Sequence, residues 1–252
     1  MTVRLVSAAL AAVALAGCAA PSTSRPDARD PFEPANRAIY KLNDRVDKAV
    51  VRPTARVYQR VVPQFVRQSV SNVFSNIGDV RVGLNNALQG KFAIAYSDFG
   101  RVIMNSTLGM LGLFDIASEA GIEKHQEDFG QTLGWWGLRD GPFIMLPIFG
   151  PSTVRDTAGF AVDYLTNPLT YVEPSSAQNQ LTIGKLVSGR AELLDASKVL
   201  DTVALDQYQF VRDAYLQRRR NLVYDGKPPP DKDPIMMPPK EGPAPPEKAG
   251  SK

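Results

Sequence analysis

The amino-acid sequence predicts an all-α protein, built as a single multi-helix domain between Asp30 and Asp225. Apolar side chains in this region recur mainly at spacings of three and four residues, whereas the strict alternation typical of strands is scarce. About 235 of the 252 residues remain after the N-terminal signal, which is enough to bury a sizeable core. A single cysteine cannot close an internal disulfide, so this is not a small disulfide-stapled scaffold.

Residues 1–17 are typical of a cleavable signal peptide. Arg4 supplies a positive charge, an apolar run follows, and the segment closes on the small residues Ala16 and Gly17. The apolar run is shorter than the ~20 residues that a membrane-spanning helix needs. We therefore expect the rest of the chain to be exported.

The signal ends in Leu15-Ala16-Gly17-Cys18, which resembles the lipobox of bacterial lipoproteins. In that interpretation Cys18 becomes the first mature residue and carries lipid; the alternative is a buried or free thiol. Several acyl chains hold a protein durably at a membrane, since each buried methylene contributes ~0.8 kcal/mol. The residue after Cys18 is Ala19 and not Asp, which resembles the pattern of lipoproteins sorted to the outer membrane rather than the inner one.

Two segments that flank the domain lack the composition of a core. Residues 18–29 are rich in Pro, Ser and Arg and are predicted to form a lipidated flexible tether. Residues 226–252 are rich in proline and charge and are predicted to be disordered or polyproline-like. A binding role for this Pro-rich tail stays open.

Five helices are predicted from the apolar period. The first covers Asn36–Val50. The second follows Ser69 and runs over 70–88, with polar residues opposite its apolar face. The third, Lys91–Leu108, is apolar almost all round, which predicts burial or contact with lipid. Its Asp98 and Arg101, at i and i+3, either pair on one face or both point to water.

The remaining two predicted helices cover 152–165 and 204–221. The last opens with Asp206 and closes with Arg218, Arg219 and Arg220, an order that suits the helix dipole. This basic run either contacts anionic lipid headgroups or forms a solvated helix end.

The segment from Gly130 to Pro151 combines frequent Gly and Pro with many large apolar residues. It is either a core loop or a lipid-contacting loop or short hairpin, because Trp favours the headgroup boundary. The candidate lipid-path or membrane-contact residues are Trp135, Trp136, Phe143, Ile144, Met145, Leu146, Ile148 and Phe149.

Motifs for catalysis, metals, cofactors and nucleic acid are not found. His125 is the only histidine and lies in a polar stretch without a nucleophile elbow, so we interpret it as an exposed loop residue. There is no His/Cys cluster for a metal, no phosphate-binding loop and no basic stripe for nucleic acid. An enzyme is therefore disfavoured, although scattered carboxylates could still meet in space.

Several ordered motifs lie between Asp30 and Arg218. The opening motif, Asp30-Pro31-Phe32-Glu33-Pro34-Ala35-Asn36-Arg37, resembles that of the VacJ/MlaA lipoproteins. The others are Arg52-Pro53, Asn105-Ser106-Thr107-Leu108-Gly109-Met110, Asp128-Phe129-Gly130-Gln131-Thr132-Leu133-Gly134, Gly141-Pro142 through Leu146-Pro147 with Gly150, Thr153-Val154-Arg155-Asp156, and Arg190-Ala191-Glu192-Leu193-Leu194-Asp195.

This resemblance implies a helical, ring-shaped, membrane-embedded domain in the inner leaflet of the outer membrane, with an amphipathic channel. It implies removal of phospholipids misplaced in the outer leaflet, association with a trimeric porin, and delivery to a soluble periplasmic carrier. We further expect the segment from Trp135 to Phe149 to line or gate the path.

Two alternatives remain at this stage. A structural outer-membrane lipoprotein that scaffolds porins or envelope contacts would retain no phospholipid after gentle purification. An envelope hydrolase built on His125 would lose its effect in His125→Ala, whereas a lipid conduit would not.

Overall fold

The computed structural model describes residues 27–229. Helices make up most of this range, and one short antiparallel hairpin interrupts them, with Phe143 opposite Thr153 and Leu146 opposite Gly150. The elements are α1 (Glu33–Val46), a π-helical turn (Asp47–Val51), α2 (Arg52–Val61), α3 (Gln64–Leu88), α4 (Phe92–Thr107), α5 (Ile116–Glu119), α6 (Phe129–Trp135), β1 (Phe143–Leu146), β2 (Gly150–Thr153), α7 (Val154–Leu165), a 3-10 turn (Pro168–Tyr171), α8 (Ser175–Glu192), α9 (Leu194–Val203) and α10 (Gln207–Val223). The all-α class is confirmed.

The strongly periodic helices fall where the sequence predicts them. The first predicted helix is α1 with the π-helical turn, and the predicted helix over 70–88 begins earlier, at Gln64. The predicted third helix is α4, and Asp206 caps α10 by accepting a hydrogen bond from the backbone N–H of Gln209 at 3.1 Å. Helices α2 and α8 were not predicted, because charged and small polar residues fill most of their turns.

Helices α3 and α4 form an antiparallel pair joined by a tight turn at Gly90, whose φ of 77° lies in the left-handed region. Their polar sides face inward. The buried residues of α4 are Ala95, Asp98, Arg101 and Asn105, and those of α3 are Asn76, Asp79, Val82, Gly83, Asn85 and Asn86. Leu84 and Leu88, from the predicted apolar face of α3, are 43% and 50% exposed.

Asp98 and Arg101 are both buried, but they do not pair with each other, so both predicted alternatives are wrong. Asp98 accepts a hydrogen bond from Asn86 at 2.7 Å. The Arg101 guanidinium donates to both carboxylate oxygens of Asp115, at 3.0 and 3.1 Å. The charge of Arg101 is therefore balanced by a carboxylate in the following loop, whereas Asp98 is stabilised by a hydrogen bond from the neighbouring helix. The i, i+3 spacing within α4 does not predict either contact.

The apolar core is small. One cluster joins Ala55, Ala191 and Leu194, and the other joins Phe143, Met145 and Tyr208. Among the described residues, twenty-one buried side chains are polar or charged and eleven are apolar. Hydrogen bonds and ion pairs therefore organise much of this interior.

The opening motif is one such polar junction. Asn36 donates to Asp30 at 2.8 Å and to the carbonyl of Phe143 at 3.1 Å, and accepts from the backbone N–H of Met145 at 2.8 Å. Tyr208 donates to the second oxygen of Asp30. The motif thus joins α1, β1 and α10 around one buried carboxylate.

The described range includes the end of the predicted tether. Asp27 lies 3.1 Å from the Arg212 guanidinium, and the carbonyl of Arg29 accepts from the backbone N–H of Phe143 at 2.8 Å, so residues 27–29 pack on α10 and β1. The signal peptide, Cys18, the rest of the tether and the tail from residue 230 onward lie outside the described residues.

Candidate functional site

The surface of the domain carries many of the large apolar side chains that a water-soluble protein would bury. On α4, Phe92, Tyr96 and Ile103 are 71%, 83% and 65% exposed, opposite the buried face with Asp98 and Arg101. This is an inverted amphipathic helix, polar inside and apolar outside. Such a surface fits contact with hydrocarbon better than contact with water.

Within residues 27–229, no helix combines the length and the apolar character that crossing a bilayer requires.

The helices surround a cavity of about 570 Å³ with both charged and apolar lining residues, here called the central cavity. Four parts of the chain form its walls, namely α3, the segment 124–131, α8 and α10. The charged residues on these walls are Asp79, Arg81, Lys124, Glu127, Asp128, Lys185, Glu192, Arg218 and Arg219. Helices placed around a polar interior give the ring-shaped arrangement that the sequence resemblance implies.

Two cations, Lys185 and Arg81, line the central cavity close enough to influence each other. Burial and the neighbouring charge of Arg81 lower the pKa of Lys185. The Arg81 Nε lies 3.9 Å from the Asp163 carboxylate and has no hydrogen-bond partner among the described residues. Two cations with unused hydrogen-bonding capacity therefore face the same space, an arrangement suited to a phosphate group.

The central cavity also contains carboxylates whose charged form is disfavoured by burial. Burial raises the pKa of Asp79, although Lys124 lies 3.2 Å away. Burial also raises the pKa of Glu127, which accepts a hydrogen bond from Gln89 at 2.8 Å. Groups of both charges therefore line the central cavity.

Arg219 is the structural centre of the α10 wall. Its guanidinium donates to Asp128 at 2.5 and 2.9 Å and to Asp156 at 2.8 Å, and it is 8% exposed. Burial favours a higher pKa for Asp128, but the Arg219 guanidinium outweighs it and holds the pKa of Asp128 below its ordinary value. Both predicted environments for the basic run, a lipid headgroup surface and solvent, are wrong for Arg219, because two carboxylates enclose it.

His125 is not a freely exposed loop residue. Its ring Nδ1 lies 2.8 Å from the carboxylate of Asp98, and its side chain is 25% exposed. The ring lines the central cavity, where Asp98 and the neighbouring polar residues position it. The described surroundings of this pair include no serine or cysteine nucleophile in hydrogen-bond contact with His125.

The eight candidate residues of the 135–149 segment separate by burial. Phe143 and Met145 are 0% and 1% exposed and belong to the core. Ile144 and Leu146 alternate with them on β1 and are half-buried. The exposed members are Trp135, Trp136, Ile148 and Phe149, with exposed fractions from 47% to 71%. The segment therefore has a core strand with apolar side chains exposed on both sides of it.

The tip of the hairpin reaches a side cavity of about 260 Å³ lined by Leu146 and Phe149. Arg81, Asp128, Tyr215 and Arg219 line both this side cavity and the central cavity. The two spaces therefore adjoin, with the hairpin at the apolar boundary and the charged residues between them. None of the eight candidates lines the central cavity itself.

Sequence reasoning missed most of the cavity wall. It placed Asp79 on the polar face of its helix, and it did not predict α8, which carries Lys185. The helical period of apolar residues shows which residues share a face of a helix, but not whether that face points inward. The missed signal is the polar helix face on a chain predicted to be tethered to a membrane, a combination that favours polar packing inside and apolar contact outside.

Comparisons with known proteins agree with this geometry. Residues 28–222 match the family model described as MlaA lipoprotein. The chain is 34% identical over 238 residues to the "Intermembrane phospholipid transport system lipoprotein MlaA" of Escherichia coli (strain K12), covering 93% of this chain and 94% of that protein. The protein of the same name from Haemophilus influenzae is 31% identical over 90% of this chain and 92% of its own length.

A solved structure reported as the "Structural basis for maintenance of bacterial outer membrane lipid asymmetry" has the same fold. Its TM-score is 0.68 at 33% sequence identity, and the match covers 77% of this chain and 98% of that one. The family match covers far more than half of the chain, and the helical fold agrees with it. The chain therefore belongs to the MlaA lipoprotein family.

Proposed function

We propose that this protein is an outer-membrane lipoprotein that carries phospholipid through its central cavity and so maintains the lipid asymmetry of that membrane. The observation that carries the proposal is the inverted polarity of the domain. Apolar side chains such as Tyr96 face outward, while a charged cavity of about 570 Å³ lies inside. Relatives that cover nine-tenths of the chain are named as phospholipid transport lipoproteins.

The physical reason is the amphipathic nature of the cargo. A phospholipid headgroup carries a phosphate that cannot enter hydrocarbon without a large free-energy cost. Arg81 and Lys185 offer donors to that phosphate, and the exposed apolar side chains near the hairpin tip offer a surface to the acyl chains. In this proposal Ile148 and Phe149 border the entry between the membrane and the central cavity.

The finer parts of the proposal concern the anchor and the route. Residues 1–17 are removed as a signal, Cys18 carries lipid, and the tether that follows it joins the domain, whose packing begins at Asp27, to the periplasmic face of the outer membrane. The domain collects phospholipid from the outer leaflet beside a trimeric porin and passes it to a soluble periplasmic carrier. A passive cavity only equilibrates lipid between its ends, so the direction of net transport must come from its partners.

The first experiment measures phospholipid in the outer leaflet of intact cells. Cells lacking the protein are compared with cells that express the wild type or Cys18→Ala. Excess surface phospholipid in both the deletion and the anchor variant supports tethered removal of misplaced lipid. Unchanged surface phospholipid contradicts it and favours a structural scaffold.

A second experiment blocks the cavity without disturbing its walls. Gly78 and Gly189 line the central cavity, and a Cβ built on either meets no atom within 4 Å. The double variant Gly78→Phe/Gly189→Phe should therefore fold, fill part of the cavity and raise surface phospholipid. A matched control is Gly100→Phe, since Gly100 has the same open surroundings but does not line the cavity.

The cavity variants also separate transport from scaffolding. A scaffold that holds porins or envelope contacts acts through its outer surface, so filling an internal cavity should leave its function intact. Normal surface phospholipid in Gly78→Phe/Gly189→Phe, with wild-type abundance and localisation, would remove the central cavity from the transport route.

A further inference from the structure

A second charged concavity lies on the outside of the domain, where α2 meets α9. Its volume is about 410 Å³, and we call it the arginine cleft. Its lining residues are Arg52, Arg56, Gln59, Arg60, Leu194, Lys198 and Asp201. None of them lines the central cavity, so the arginine cleft is a separate site.

The arginine cleft has more positive charge than its own carboxylates neutralise. Arg52 donates to Asp47 at 3.1 Å and to Asp201 at 2.8 Å, so its charge is balanced within the fold. Arg56 and Arg60, one and two turns further along α2, are exposed and form no ion pair or hydrogen bond with the described residues. Their charge is available to a ligand.

Lys198 adds to this charge from the opposite wall. Its partner is Asp195 at 2.8 Å, but both side chains are largely exposed, at 71% and 86%. Exposed pairs of this kind are weak, so a better-placed anion can replace the carboxylate. Lys198 together with Arg56 and Arg60 can then surround a single phosphate from two helices.

Apolar side chains flank the same helix. Val57 and Val61 are 57% and 71% exposed, and Phe65, just after the end of α2, is 74% exposed. Ala55, on the inner side of α2, packs against Ala191 and Leu194. Helix α2 therefore rests on the domain by one face, exposes an apolar strip on a second and presents arginines on a third, as interfacial helices do.

We propose that the arginine cleft binds the headgroup of an anionic phospholipid of the surrounding membrane, with the acyl chains lying along Val57, Val61 and Phe65. Charge complementarity selects the ligand, because a zwitterionic headgroup brings its own cation into a site that already has spare positive charge. The adjoining valines favour a lipid over a free phosphate ion, which has no apolar part. This site is independent of transport through the central cavity.

The test uses the full-length lipidated chain in detergent, titrated with dioctanoyl phosphatidylglycerol or dioctanoyl phosphatidylethanolamine and followed by native mass spectrometry. The wild type should bind one phosphatidylglycerol molecule at the arginine cleft in addition to any lipid bound elsewhere. Arg56→Gln/Arg60→Gln should bind this additional molecule at least about tenfold more weakly, because each basic residue near an anionic headgroup contributes substantially to binding. Phosphatidylethanolamine binding should be the same in both proteins.

The matched control is Lys41→Gln/Arg45→Gln on α1, which removes two exposed cations at the same spacing but outside the cleft. It should bind phosphatidylglycerol as the wild type does, and equal loss in the control would contradict a specific site. Displacement of the additional lipid by millimolar inorganic phosphate would show an anion site and not a lipid site.

Two further outcomes are decisive. The cavity variant Gly78→Phe/Gly189→Phe should keep the additional phosphatidylglycerol, so failure of the transport proposal leaves this inference testable. If Arg56→Gln/Arg60→Gln keeps full phosphatidylglycerol binding but loses a protein partner in cells, the arginine cleft is a docking site for an acidic protein surface and the lipid proposal is wrong.

Discussion

The side-chain amide of Asn36 accepts a hydrogen bond from the backbone N–H of Met145 at 2.8 Å, across more than a hundred residues of sequence. Two turns later on α1, Asn43 repeats the arrangement by donating to the carbonyl of Leu146 at 2.9 Å and accepting from the N–H of Ile148 at 2.8 Å. A pair of asparagines thus continues the hydrogen bonding of the hairpin onto a helix.

We predict that Asn36→Ala lowers the free energy of unfolding by about 2–4 kcal/mol, because it leaves buried donors and acceptors without partners. Urea unfolding of the purified chain in detergent measures the change. Asn43→Ala, at a less buried position, should cost less. Equal effects at the two positions would contradict a central role for the buried junction at Asp30.

A second prediction concerns the crossing of α6 and α7, where two glycines bring the backbones together. A Cβ on Gly159 would lie 2.6 Å from the Cα of Gly130, and backbone atoms cannot turn away as a side chain could. Gly159→Ala should therefore destabilise the protein by about 1–3 kcal/mol and lower its Tm by at least about 3 °C.

Gly100→Ala is the control for this substitution, because its Cβ meets no atom within 4 Å and alanine favours the helix. Thermal unfolding should show an unchanged or slightly higher Tm for this variant. A neutral Gly159→Ala would mean that α6 and α7 can separate at little cost.

The third prediction is a pH dependence at Asp115. Burial favours a higher pKa for Asp115. The pKa is nevertheless lowered from an ordinary 3.8 to about 2 by hydrogen bonds from Ser118 and Asn105 and by the charge of Arg101. A lowered pKa means that this stabilisation is fully present above about pH 4 and is lost as the pH falls toward 2. Asp115→Asn should unfold more easily at neutral pH and lose this part of the acid dependence.

Unfolding curves from pH 7 to pH 2 measure the difference between the two proteins. Asp195→Asn is the control, since its side chain is 86% exposed and its ion pair is the exposed one with Lys198. Parallel curves for the wild type and Asp115→Asn would show that another carboxylate governs acid unfolding.

The fourth prediction tests the exposed part of the hairpin region. The triple variant Trp135→Asp/Ile148→Asp/Phe149→Asp should fold, because all three side chains are exposed, yet raise surface phospholipid toward the level of the deletion. Phe143 is left intact, since it is fully buried and its loss would unfold the core. Retained transport with normal abundance and localisation would refute a role of this segment in the lipid path.

Sequence alone predicted the helical class and five of the helices, because apolar periods are local features. The hairpin could not be predicted from local sequence features. Its alternating burial, with Phe143 and Met145 inside, depends on Asn36 and Tyr208, which lie far away along the chain. The sequence indicated an unusual apolar segment there but could not choose between core and membrane contact; the structure places Phe143 and Met145 in the core, and membrane contact by the exposed residues stays a prediction.

The candidate site was less accessible from sequence. Arg101 and Arg219 are surrounded by carboxylates from other elements, so their burial follows from tertiary contacts that no spacing encodes. Helix α8 has too weak an apolar period to be predicted, yet it supplies one wall of the cavity.

The outward-facing side chains of α4 also bear on how the domain behaves away from lipid. Phe92 and Tyr96 are 71% and 83% exposed. Exposed apolar side chains in water promote self-association. In purely aqueous solution we therefore expect copies of the domain to associate through this face unless lipid or detergent covers it.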